Sequence, residues 1–100
     1  MSEYNTIIQD LLSGITDPAF RIEFMRTLQL IKEAYIRGHP EEEVTAALID
    51  VIKTILLMKG VCTTEEEATE KAKEYAEKIK QAAKAEQTYW YVQARFRFRF

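Results

Sequence analysis

The chain ends in RFRFRF, where Arg95, Arg97 and Arg99 alternate with Phe96, Phe98 and Phe100. A guanidinium group is a rigid fork of donors suited to phosphate or carboxylate, and an aromatic ring offers a face on which a base can stack. If the stretch is extended, residues on one side stand about 6.6 Å apart. Arg95, Arg97 and Arg99 then form a ladder matched to successive phosphates of single-stranded DNA or RNA, with Tyr89 and Tyr91 further along as stacking platforms. The other side presents Trp90, Val92, Phe96, Phe98 and Phe100 to a protein partner. A plainer role for the same Arg residues is to keep an apolar edge from aggregating and to pair with acidic side chains.

Other chemistry is sparse. The one histidine, His39, precedes Pro40 at a helix start, a place that favours a turn or capping role over proton transfer. The one cysteine, Cys62, has no base beside it in sequence and reads as a small, partly buried residue. Glu41 to Glu43 and Glu65 to Glu67 sit in first helical turns, where the helix dipole favours carboxylates. No catalytic residues, metal site or cofactor are therefore expected, and the chain is not read as an enzyme.

Four helices account for most of the chain. Tyr4, Ile7, Ile8, Leu11 and Leu12 form one apolar stripe, with Ser2 as N-cap and Gly14 beyond the end. Asp17-Pro18 starts a second helix running through Phe20, Phe24, Leu28, Ile31 and Tyr35 to Gly38; Ile22, Met25, Leu30 and Ile36 widen its apolar face, so it is expected to be central. A third runs from His39-Pro40 to Lys59-Gly60 on the stripe Val44, Ala47, Leu48, Val51, Ile52, Ile55 and Leu56. A fourth opens at a capping box, Thr63 with Glu66 or Thr64 with Glu67, and should reach about Glu86. Its inner face of Ala68, Ala72, Tyr75, Ala76, Ile79, Ala82 and Ala83 is expected to pack closely while burying little area.

From Tyr89 the apolar period changes from 3.6 to 2, which predicts a β-strand. The expected fold is mainly α, a four-helix bundle-like domain over residues 1 to 87 with an extended β-strand arm over residues 88 to 100. A lone strand has unpaired backbone groups on both edges, so residues 89 to 100 should pair with another subunit or with a second copy of the chain. A hairpin within the arm lacks turn residues, and an irregular tail lying over a helical groove is the remaining alternative.

At 100 residues, 47% of them hydrophobic and 30% charged, the chain has the make-up of one globular domain. Residues 1 to 88 hold 11 Lys/Arg against 16 Asp/Glu, so a stand-alone duplex-DNA binder, which needs a basic footprint, is disfavoured. A single Cys and the lack of a long apolar run predict a cytoplasmic protein with no membrane partner. Short connections, abundant Glu and Lys, and few Asn and Ser suggest heat adaptation.

In size, helix count and the helices ITDPAFRIEFMRTLQLIKEAYIRG and EEEVTAALIDVIKTILL, the chain resembles the small helical subunit of archaeal type I CRISPR surveillance complexes, the Cascade small subunit. The resemblance implies a non-catalytic role in antiviral defence: several copies stack along the complex and help hold the target or displaced DNA strand. It would bring Arg21, Arg26, Arg37, Lys53 and Lys59, with the tail, near nucleic acid. The alternative from the residues alone is a homo-oligomeric scaffold, a viral structural protein or an antitoxin-like interaction module with no nucleic-acid role.

Overall fold

A computed structural model describes the backbone of residues 3 to 97 and the side-chain environments of residues 3 to 86. Four helices follow one another: α1 (Glu3–Leu12), α2 (Pro18–Ile36), α3 (Glu41–Met58) and α4 (Glu65–Arg97). Their starts follow the local chemistry. Asp17 accepts a hydrogen bond from the Ala19 amide at 2.9 Å with Pro18 at the first helical position, and Thr64 Oγ1 accepts from the Glu67 amide at 3.2 Å. Of the two candidate threonines, Thr64 is therefore the one that caps α4. α3 begins differently, with Pro40 at its N-cap and no side-chain cap, so His39 does not cap it. Ser2 lies outside the described residues.

The ends of α2 and α3 are built alike. Gly38 and Gly60 adopt φ of 80° and 75°, and the next amides, His39 and Val61, donate back to Ala34 and Leu56. This left-handed turn satisfies the carbonyls a helix end leaves open, and a side chain there would strain the backbone.

α2 packs against all three other helices, as the breadth of its apolar face predicts, and so does α4, which has the more extensive packing, with α3 as its main neighbour. The physical reason lies in its inner face: Ala68, Ala72, Ala76, Ala82 and Ala83 are buried with Ile79, and short side chains let neighbouring helices approach from several sides at once. The larger residues come from the neighbours: Leu11 and Leu12 of α1, Leu28 and Ile31 of α2, and Leu48, Ile52, Ile55 and Leu56 of α3. Cys62 joins this core and is fully buried, more so than its loop position predicts.

α4 also corrects the strand expectation. Its backbone is helical for 33 residues through Arg97, so the span 89 to 97 is helix, and no strand occurs among the described residues. Once α4 is nucleated, each added residue gains an internal hydrogen bond, whereas a lone strand would leave its amides and carbonyls without partners in one chain. No Gly or Pro interrupts the run from Glu65 to Arg97. Phe98, Arg99 and Phe100 lie outside the described residues.

Candidate functional site

The residues singled out by the RFRFRF pattern fall at the far end of α4. Tyr89, Trp90, Tyr91, Val92, Arg95, Phe96 and Arg97 lie on its helical backbone. Positions two apart on a helix are about 200° around the axis from one another, so the two-sided sorting of Arg from Phe that a strand would create is absent from the backbone at 95 to 97. The Arg99, Phe98 and Phe100 assignments lie outside the described residues.

Just before this segment, α4 is tied to the bundle by a mixed cluster. Lys32 of α2 forms an ion pair with Glu86 of α4, and its ammonium stands 4.9 Å from the centre of the Tyr4 ring of α1. The Tyr4 hydroxyl donates to the Leu28 carbonyl at 2.6 Å. Burial, followed by the neighbouring Glu86 carboxylate and Tyr35, holds the Tyr4 phenol well above its ordinary value. Tyr35 is also raised by burial, and its hydroxyl shares a hydrogen bond of 2.7 Å with Thr45 of α3.

On another side of α4, Glu41 reaches from α3 to Lys84 at 2.6 Å and to Lys80 at 3.9 Å, and Lys80 also pairs with Glu77. These ammonium partners lower the Glu41 and Glu77 carboxyls, and Glu77 raises Lys80. Such pairs on the surface orient α3 on α4 and add little stability.

The basic residues of the bundle are largely committed to its own structure. Arg21 donates to the Leu12 carbonyl at 3.0 Å and to Gln9 at 3.2 Å; Lys59 donates to the Leu11 carbonyl at 2.8 Å; Lys53 pairs with Glu65 at 2.9 Å. Arg21 and Lys59 thus close the C-terminal end of α1, where the helix dipole is negative. Of the five basic positions implied by the family resemblance, Arg26 on α2 and Arg37 at its C-cap remain as exposed side chains.

A feature not singled out in the sequence is an apolar stripe along α2 and α3. A groove of about 350 Å³ is lined by Leu30, Ile31 and Ala34 of α2 and by Val44, Ala47 and Val51 of α3, with His39 and Glu43 at one end. Phe24 stacks on Phe20 at 6.5 Å, and Phe20 and Met58 line a second hollow with Gly14 and Ile15. Leu30 is 65% exposed, and Phe20, Ile22, Met25, Met58 and Val61 are exposed as well. From Phe20 to Ala34 the stripe runs about 21 Å along α2. The sequence signal for it was the breadth of the α2 apolar face, which reads equally as a helix buried on several sides.

Among the described residues, no group of three His, Cys, Asp or Glu side chains is placed to hold a metal ion, and no helix is long and apolar enough to cross a membrane. His39 stands at the groove end and Cys62 in the core, far apart in role. Comparison of the chain with family models, with curated proteins and with solved structures finds no match.

Proposed function

We propose that this protein is a non-catalytic helical subunit of a nucleoprotein assembly, acting by docking. The observation that carries the reading is the apolar stripe of α2 and α3, where Phe20, Leu30 and Met58 stay exposed beside a complete core. Exposed apolar surface of this extent on a small domain is characteristic of a recognition face. Helix-in-groove docking uses such a surface. The resemblance to the Cascade small subunit supplies the setting, an antiviral surveillance complex in the cytoplasm.

In this reading the C-terminal segment approaches nucleic acid as a continuation of α4 through Arg97, replacing strand pairing through residues 89 to 100. Arg95, Arg97 and Arg99 meet phosphates, Tyr89 and Tyr91 stack on bases, and Arg26 and Arg37 add exposed cations on α2 and at its C-cap. The bundle itself is acidic, so contact is confined to these places. The test is fluorescence anisotropy with a labelled single-stranded DNA over a salt series. Three phosphate contacts make the slope of log affinity against log salt steeper by about 2 than in the R95Q/R97Q/R99Q variant. Equal slopes for the two proteins, or no binding, remove nucleic acid from the function.

A second reading, a homo-oligomeric scaffold without nucleic acid, is favoured by one observation. Glu43, which lines the groove, is opposite in charge to the tail.

A further inference from the structure

Resting on the docking role above, we propose that the exposed side of α2 pairs antiparallel with the same side of a second copy of this chain, across a two-fold axis near Leu30. The described side chains of α2 single out that occupant by their spacing and their charge.

Glu23, Leu30 and Arg37 follow one another at seven-residue steps, each about 20° short of two full turns, so they share one side of the helix at intervals of about 10.5 Å. Arg37 belongs to this series because the C-cap keeps helical backbone angles. Leu30, in the middle, is 65% exposed, the most exposed large apolar side chain among the described residues. One turn to either side of it stand Thr27 and Ala34, short side chains that line the hollow between α2 and α3. They leave room against the helix for Leu30 of a facing copy.

Charge sets the direction of the pairing. Four charged side chains follow one another near this side in the order Glu23, Arg26, Glu33 and Arg37, and none of them forms an ion pair among the described residues. Glu23 and Arg37 are equally far in sequence from Leu30, and Arg26 and Glu33 are centred between residues 29 and 30. A copy reversed about Leu30 therefore sets its Arg37 against Glu23 and its Glu33 against Arg26, and the two-fold repeats both pairs. Laid parallel, each charge would meet its own like. A series of charges that becomes its own complement on reversal suits a second copy, and it gives Arg26 and Arg37 a place beside the acids of this edge. Glu43 and Asp50 stand on α3, off the seam. In the pair, Arg26 and Arg37 turn to the second copy, and contact with nucleic acid is left to the C-terminal segment.

The footprint, about 21 Å long and at most two helices or roughly 20 Å wide, belongs at the small end of specific interfaces. The pair should therefore separate on dilution, and its closed symmetry stops the assembly at two copies.

The test uses full-length chains, with mass read by light scattering across a concentration series. The wild-type chain is expected at twice 11.7 kDa when concentrated and at the single-chain mass when dilute. Leu30→Glu, at an exposed position, should stay single throughout with unchanged helical circular dichroism. Glu23→Arg and Arg37→Glu each set like charges against one another twice and should weaken association about tenfold. The double variant E23R/R37E restores opposite charges and should return to the wild-type association constant. A wild-type chain that stays single at every concentration overturns the proposal, as does a mass that climbs past two copies, a dimer that survives Leu30→Glu, or a double variant no tighter than the single ones. A chain that stays single yet binds oligonucleotide with the salt slope given above overturns the pairing and leaves the nucleoprotein role standing. A pair that binds no oligonucleotide supports the pairing and removes that role.

Discussion

Lys32 shows how much one side chain can join: its ammonium lies against the Tyr4 ring of α1 and the Glu86 carboxylate of α4 while its backbone belongs to α2. Tyr4 is the buried partner in that cluster. Its place in the core was legible, since Tyr4, Ile8, Leu11 and Leu12 share a helical stripe and all are buried. The acceptor of its hydroxyl, Leu28 24 residues away, was not, because such a pair depends on how two helices lie together. Tyr4→Phe is expected to lose about 1 kcal/mol at neutral pH, measured by urea unfolding. The pH dependence follows from the raised phenol. The unfolded chain ionises Tyr4 near 10.0 while the folded chain resists, so this stability is complete below that pH and is lost as pH rises beyond it. Tyr4→Phe should therefore flatten the loss of stability above pH 10. An alkaline limb of unchanged steepness would contradict the burial of this hydroxyl.

At the scale of the element, α4 carries both the success and the failure of pattern reading. Its alanine face was visible from spacing, and its consequence, close approach on several sides, made it the most extensively packed helix of the bundle. That consequence is testable at Ala76, which is 1% exposed. Ala76→Leu forces three added carbons into a closed space and is expected to cost 1 to 3 kcal/mol, roughly, in chemical denaturation. A neutral result would mean that the helices stand further apart. The error came at residues 89 to 97, where alternation was read as a strand although the backbone is helical. Alternation records only which side chains resemble each other. It carries no information about where a strand would find hydrogen-bond partners, and a helix needs none outside itself.

For the molecule as a whole, the described core ends at Ala83, and α4 runs on to Arg97. A chain ending at Glu86 keeps Tyr4 through Ala83 and is expected to melt cooperatively with the helical signal of the bundle, read by circular dichroism. Loss of cooperativity would make the C-terminal segment part of the core and weaken its assignment as a docking element. The sequence by itself determined four helices, most of their caps and the stripes that bury them, because these depend on neighbours within a turn or two. It also determined that basic and aromatic residues concentrate at one end of an acidic chain. The tertiary structure alone decided that α4 packs most extensively, that Arg21, Lys53 and Lys59 serve the bundle, and that α2 and α3 leave an apolar groove between them. A broad apolar face fits burial on two sides as well as burial on one, and which holds is settled only by how many helices are left to cover it.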